Sequence, residues 1–318
     1  MVPPAVPTAV VPWVAPEMRA AILAWYRRHG RPLAFRSTDD PWAILVSEAM
    51  AQQTQAARAA EAWTRFLARF PTVEALAGAT PADALRAWRG LGYNRRALAL
   101  RQAAIAIVEE HGGRVPADLT DLERLPGVGP YTARAVAALA YGRPVGAVDT
   151  NVRRVLGRVL AGDPGALPAR TLQAIADAAV PSDQPGTWTH ALMDVGATFC
   201  HPRSPDCVPC PARPWCAAPE AAGTTNPGRP APRATRRTTH PASGTTVPAR
   251  AFEATSRWLR GRILDRLRDE EGTGWVPIPT TFGGHGPPAV EAALAALARE
   301  GLAERHPELV ACARLPLA

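Results

Sequence analysis

The run Leu125-Pro126-Gly127-Val128-Gly129-Pro130-Tyr131-Thr132-Ala133-Arg134 constrains this chain more than any other stretch. Two prolines and two glycines so close together cannot continue a helix. They force a tight turn that feeds straight into a new helix opened by Pro130. The backbone N–H groups of such a turn, with the helix N-terminus behind them, form a cradle for a phosphate. Val148-Asp149-Thr150-Asn151 then sets a lone carboxylate at the mouth of the next helix. An Asp there is a common N-cap, and the helix terminus also favours its ionised form. A phosphate grip beside a carboxylate points to chemistry on DNA.

Composition agrees. The net charge of +8 and a pI near 10 favour a polyanionic partner over a membrane or an acidic protein. No segment has the length of a membrane span. Residues 1–16 are Pro-rich without the basic-then-apolar pattern of an export signal, so a cytoplasmic, monomeric protein is expected. All 36 basic residues are arginine. A chain without lysine cannot form a lysine Schiff base, which excludes covalent amine catalysis of that kind.

The 318 residues suffice for two or three domains. Residues 1–16 read as a disordered tail. Glu17 to Gly30 reads as an amphipathic helix with a Gly stop, and Asp39-Asp40-Pro41 caps a long helical stretch from Trp42 to about Phe70. Short helices follow at about 72–78, 81–89 and 94–111. Asp118 to Leu125, the glycine turn and Tyr131 to Tyr141 form a helix–hairpin–helix unit, and further helices are expected at 151–161, 168–179 and 187–198. The first two-thirds therefore reads all-α. Residues 217–250, rich in Pro, Thr, Ala, Gly and Arg, read as a linker. Residues 251–318 carry helices at about 252–270 and 287–301 and a strand from Leu309 to Leu315, which suggests a small α/β module of winged-helix type.

Cys200, Cys207, Cys210 and Cys216 are spaced C-x6-C-x2-C-x5-C in a loop stiffened by five prolines. Disulfides do not suit a reducing cytosol. Four-cysteine zinc sites usually come as two short C-x-x-C knuckles, and only one such pair exists here. Four thiolates with unequal spacing in one loop suit a [4Fe–4S] cluster better. Such a cluster would hold a basic loop, with Arg203 and Arg213, against DNA. Cys312, far away in the C-terminal module, reads as a small buried apolar residue.

Glu48 shares a helical face with Ile44 and Leu45 one turn before it and Gln52 one turn after it. A carboxylate on an apolar face is either a solvated exception or an acid kept protonated by desolvation. Tyr93, at a Gly-flanked turn, is either an ordinary aromatic packed near Trp88 or a wedge for a base stack.

Taken together, Ser47-Glu48-Ala49-Met50-Ala51-Gln52-Gln53-Thr54, Gly90-Leu91-Gly92-Tyr93, the hairpin from Leu125 to Arg134, Val148-Asp149-Thr150-Asn151-Val152 and the four cysteines resemble the helix-hairpin-helix DNA glycosylases. Within that superfamily the order of the motifs is similar to the MutY family of adenine-specific mismatch glycosylases. The resemblance covers roughly 17–216 and implies a two-lobed helical core with a [4Fe–4S] loop at 200–216. It implies double-stranded DNA with adenine opposite 8-oxoguanine or guanine as partner. By the same resemblance Glu48 protonates the departing adenine at N7. Asp149 stabilises the oxocarbenium-like sugar, and Asn151 supports it. This is the logic of two-carboxylate glycoside hydrolysis: one acid for the leaving group and one anion for the sugar. Gln52, Gln53 and Thr54 probe the base and duplex, Leu91, Gly92 and Tyr93 form the wedge turn, Gly127 and Gly129 grip phosphate, and Arg31 and Arg36 are further DNA contacts. Bifunctional endonuclease III-like enzymes carry a Lys nucleophile where Tyr131 stands, so base removal without lysine-based strand cleavage is expected.

Three departures from the family pattern stand out. Thr150 follows the catalytic-type Asp where many family members have Gly. His190 stands where relatives often have Gln or Glu facing the base. About 68 residues follow the linker, with no counterpart of the family's Nudix-like domain that reads 8-oxoguanine, so that recognition is inherited by analogy. A thymine or uracil mismatch glycosylase is the rival enzyme, and a non-catalytic cluster-bearing DNA binder the rival of another class. Glu48 with Gln52-Gln53 argues against the first, and the presence of both Glu48 and Asp149 against the second.

Overall fold

A computed structural model describes residues 14–218 and 252–318. The expected N-terminal tail and linker lie outside them except for their inner ends. The chain divides into two compact units: Met1–Glu48, Ala117–Glu123 and Val128–Thr235 form the first, and Ala49–Pro116, Arg124–Gly127 and Arg236–Ala318 the second.

The first unit is helical. It contains α1 (Pro16–His29), the first turns of α2 (Pro41–Ala51), α8 (Pro130–Ala140), α9 (Thr150–Ala161), α10 (Ala169–Ala179) and α11 (Pro185–Thr198). Helix α11 packs against α1, α8 and α9. Their apolar stripes meet in one core, with Met18, Ile22, Val155, Leu156, Ile175 and Trp188 almost wholly removed from solvent. Helix α9 shows how local signals set its limits. Asp149 caps its N-terminus, Arg158 stands in its last turn, and Gly162 ends it in the left-handed region at φ 76°.

The second unit holds α3 (Ala56–Arg69), α4 (Val73–Ala77), α5 (Pro81–Ala87), α6 (Arg95–His111) and the C-terminal module. Thr80 and Asp83 form a reciprocal capping box on α5, with Pro81 at its first position. Phe66 meets Phe70 and Trp88 edge to face, with ring centroids 5.0 and 6.0 Å apart. In the module, α12 (Ser256–Asp269) and α13 (Pro287–Arg299) pack together beside a three-stranded antiparallel sheet. The sheet comprises β1 (Val276–Pro277), β2 (Glu304–Arg305) and β3 (Cys312–Arg314) in the order β1-β3-β2. The strand expected over 309–315 is thus shorter, and its two partners are too short to leave a period-two pattern in sequence. Cys312 is buried on β3, as expected. Arg268 donates to the Leu85 carbonyl at 2.9 Å and to Asn94 Oδ1 at 2.6 Å, and the Ala82 N–H donates to the Pro316 carbonyl at 2.9 Å. These bonds make the module an integral part of its unit.

The hairpin connects α7 (Leu119–Arg124) to α8. Gly127 has φ +79°, and a Cβ there would stand 2.8 Å from the Ala99 Cβ on α6. Both the turn and the close approach of α6 therefore require glycine at that position.

One sequence expectation fails. The helix read from Trp42 to about Phe70 is two helices, with α2 ending at Ala51 and α3 starting at Ala56. The periodicity is helical on both sides, and no Pro or Gly announces the break. Arg96 supplies the reason: its guanidinium donates to the carbonyls of Ala49 (2.8 Å), Met50 and Gln52, which the broken helix leaves without partners. Gln53 takes φ 54° at the break, a left-handed conformation costly for a non-glycine residue. Arg96→Met should lower the unfolding free energy by about 2–3 kcal/mol, because buried carbonyls lose charged donors. Denaturant titration of the full chain checks this; an unchanged midpoint would mean that the break does not depend on Arg96.

Candidate active site

Glu48 lies near the end of the first unit's share of α2, with only 8% of its surface exposed. Burial pushes its carboxyl up to about 7, and the charge of Asp149 adds to the rise. A hydrogen bond from Tyr131 and the charge of Arg36 pull the other way and stop it from rising further. Burial, then the charges of Glu48 and Asp149, hold the Tyr131 phenol far above its ordinary value, so it remains a neutral donor to Glu48. The structure thus brings Glu48, Tyr131 and Asp149 together from α2, α8 and the start of α9.

Asp149 is fixed from two sides. Its Oδ1 accepts the Val152 N–H at 2.7 Å as the N-cap of α9, and its Oδ2 accepts from Asn151 Nδ2 at 2.8 Å. Asn151 Oδ1 in turn accepts from Arg154 Nη2 at 2.7 Å, and Arg154 also donates to the carbonyls of Gly196, at 2.8 Å, and Cys200. One turn further along, Arg158 Nη1 donates to Cys200 Sγ at 3.3 Å and to the His201 carbonyl at 2.7 Å. Helix α9 therefore ties the carboxylate at its mouth to the start of the cysteine loop. Sequence pattern alone gives Arg154 and Arg158 no role, although their spacing on one helix face marks them as a pair.

A second group organises the interior. Asp194 on α11 has no exposed side-chain surface. Its Oδ1 accepts from Arg31 Nε at 2.7 Å and Arg36 Nη2 at 2.8 Å, and its Oδ2 from Arg36 Nη1 at 2.7 Å and the Arg31 N–H at 3.0 Å. Burial alone would raise this carboxyl, but the hydrogen bonds from Arg36 and Arg31 outweigh it and hold it below the usual range. Arg36, expected as a DNA contact, is 8% exposed at its side chain and is turned to Asp194 and the Tyr26 hydroxyl rather than to open solvent, and its charge still reaches Glu48 and Tyr131. Arg31 keeps 37% exposure but shares the same carboxylate. The DNA-contact expectation for these two arginines was read without Asp194, a lone acid in the apolar run Ala191-Leu192-Met193-Asp194-Val195 that could have signalled them. His190 lies one turn before it. Burial and then Arg36 push its imidazole down to about 3, so it is neutral.

Of the other DNA-contact candidates, Gly129 is the N-cap of α8 in the first unit, and the rest belong to the second unit. Gln52, Gln53, Thr54, Leu91, Gly92 and Tyr93 line one groove of about 950 Å³. Tyr93 is 46% exposed and takes φ 44°. Its backbone is held by the turn that Trp88 Nε1 closes on the Gly92 carbonyl at 3.1 Å.

Cys200, Cys207, Cys210 and Cys216 are free and partly buried. Burial pushes the Cys210 thiol up to about 11, and the charges of Cys200, Cys216 and Cys207 add to the rise. Among the described residues, no three His, Cys, Asp or Glu side chains converge on a point as a single metal ion would need.

Comparison with known proteins places the chain in a family. The family model described as HhH-GPD superfamily base excision DNA repair protein matches residues 46–180. An adenine DNA glycosylase of Mycobacterium tuberculosis (strain CDC 1551 / Oshkosh) is 44% identical over 254 residues, 79% of this chain and 78% of that protein. Among solved structures, a thermostable thymine-DNA glycosylase matches with a TM-score of 0.60 at 30% identity, over 63% of this chain and 93% of its own. A trapped endonuclease III–DNA intermediate matches with a TM-score of 0.55 at 22% identity, over 63% and 92%, a likeness of fold alone. The fold and site define a helix-hairpin-helix glycosylase of base excision repair. The chain belongs to the adenine DNA glycosylase family, enzymes that hydrolyse N-glycosyl bonds. No described helix is long and apolar enough to cross a membrane.

The raised Glu48 value has a consequence for stability. The folded chain binds this proton more tightly than the unfolded chain, whose ordinary value is 4.5. The associated stability is complete below 4.5 and is lost as pH rises through about 7. Glu48→Gln removes that titration. Between pH 5 and pH 8 its stability relative to the parent should improve by roughly 2 kcal/mol, read by urea titration. A difference independent of pH would show that Glu48 is not a buried acid.

Proposed function

We propose that this enzyme removes adenine mispaired with 8-oxoguanine or guanine from duplex DNA and leaves the strand uncut. The observation that carries the reading is the pair of carboxyls in different surroundings. Glu48 is buried, with its proton retained to about pH 7, whereas Asp149 is anchored through both oxygens by N–H donors. Two neighbouring carboxyls held in such different ways suit different parts in the reaction, a proton donor at Glu48 and a partner for the sugar at Asp149.

The extruded base leaves the stack at a cost of a few kcal/mol, less when it is mispaired. Glu48 donates its proton to N7 of the adenine, which turns the base into a neutral leaving group. Asp149 faces the positive charge that develops on the sugar, and water completes the hydrolysis. Tyr131 keeps Glu48 from rising beyond a useful value, and Arg36, balanced by Asp194, does the same. The rate should therefore fall as pH climbs through about 7. Strand cleavage through an imine needs an amine nucleophile, and the chain has no lysine to supply one. The likeness to a thymine-DNA glycosylase keeps thymine opposite guanine as the second reading. A thymine leaving group, however, offers no N7 for Glu48 to protonate.

A panel of duplexes with A opposite 8-oxoguanine, A opposite G and T opposite G, each treated with hot alkali after incubation, decides between them. Scission is expected in both adenine duplexes, and scission confined to T opposite G would overturn the assignment. Glu48→Gln and Asp149→Asn should each slow base release on the order of a hundredfold or more while duplex binding persists. An active Asp149→Asn protein would remove that residue from the chemistry.

Families of this kind commonly carry iron–sulfur clusters. We assign Cys200, Cys207, Cys210 and Cys216 as the ligands of a [4Fe–4S] cluster, which would act as a structural clasp for the loop with Arg203 and Arg213. Support comes from the spacing of the four cysteines in one loop and from the Arg158 N–H aimed at Cys200 Sγ, a contact that a thiolate accepts well. The purified protein should be brown and contain iron. A colourless protein with stoichiometric zinc would reject the cluster.

A further inference from the structure

The groove of the second unit has one wall that the sequence reading left without a role: α12 of the C-terminal module. Seven arginines line the groove against two acids, Asp265 and Glu300. Arg260 is matched by Glu300 at 2.5 Å, and Arg262 and Arg268 by Asp265 at 2.5 and 3.3 Å. Arg96 is engaged by backbone carbonyls. This leaves Arg58, Arg95 and Arg257, all exposed and, among the described residues, without an acidic partner. Three unmatched guanidinium groups around one concave surface form a site for an anion.

The groove also offers an aromatic face. The Arg257 guanidinium lies 4.9 Å from the centre of the Tyr93 ring, and Arg96 lies 5.3 Å from it. Arg257 Nη2 stands 4.0 Å from where a Cβ on Gly92 would be, so α12 reaches directly to the turn that displays Tyr93. That turn holds Tyr93 half-exposed in a left-handed conformation that few side chains adopt. An anion site beside an exposed ring is complementary to one kind of ligand, a nucleotide within a strand. Its phosphate suits the arginines and its base suits the aromatic face.

We propose that the C-terminal module is part of the DNA grip. Arg58, Arg95 and Arg257 hold a phosphodiester of the duplex in this groove, and Arg257 positions Tyr93 against the adjoining base. The inference rests on the DNA reading above and adds three arginines, one of them from the C-terminal module, that lie outside the glycosylase motifs. Arg257 acts twice, as a phosphate ligand and, through the face of the ring, as a positioning residue for Tyr93.

The test uses the full chain and a duplex with 2′-fluoro-deoxyadenosine opposite 8-oxoguanine, followed by fluorescence anisotropy at several salt concentrations. Arg257→Ala should weaken binding about fivefold to tenfold and lower the slope of log affinity against log salt by about one. Arg257→Lys should restore the slope, since it restores the charge. The loss caused by Arg257→Ala should shrink when Tyr93→Ala is already present, because part of it acts through the ring. Arg299→Ala, an exposed change on α13 outside the groove, should leave both quantities as in the parent. If the parent binds the duplex and Arg257→Ala matches it in affinity and slope, the groove proposal is overturned while the function stands. An equal loss in Arg299→Ala would also overturn it, by showing a non-specific charge effect. A parent that binds no duplex overturns the functional reading itself.

Discussion

With no exposed surface of its own, Asp194 can remain charged only because two arginines surround it, and much of the first unit depends on that arrangement. Removing one partner of a buried ion pair costs about 3–5 kcal/mol, since the survivor is left unmatched in a poor dielectric. Here one carboxylate answers Arg31 and Arg36 together and pins the chain around Ala34–Arg36 to α11. It also sets how much positive charge Glu48 feels. An unmatched Arg36 would pull the Glu48 carboxyl down and release its proton too early. The acid is thus tuned by burial against a charge that is itself largely cancelled.

The same economy of groups appears at Asp149. An N-cap is a structural device found at the start of many helices, and here it also fixes the carboxylate proposed to face the sugar cation. The Asn151–Arg154 bridge to the Cys200 carbonyl means that the loop bearing the cysteines and the carboxylate share one rigid helix. Fold and site are not separate layers in this unit.

Much of this was legible in the sequence because the signals are local. The hairpin glycines, the cap at Asp149 and the apolar periods of α9 and α10 depend on neighbours within one turn of chain. Glu48 and Asp149 stood out as candidates for local reasons: one is an acid on an apolar face, the other an acid ahead of a helix. The break after Ala51 was not readable, since its cause is Arg96, more than forty residues away. Nor was the fate of Arg31 and Arg36, whose partner lies on α11.

The sequence by itself determined the helical class, the hairpin with its glycine, the absence of any lysine chemistry and the four-thiol loop. Each follows from residue type and short-range geometry. Only the tertiary structure decided that Glu48 is an acid with its proton held to about pH 7, that Tyr131 is its donor and that Arg36 faces inward. It alone decided, too, that an arginine of the C-terminal module meets Tyr93. Burial and charge balance are sums over neighbours distant in sequence, and a linear pattern does not contain them until the chain has folded.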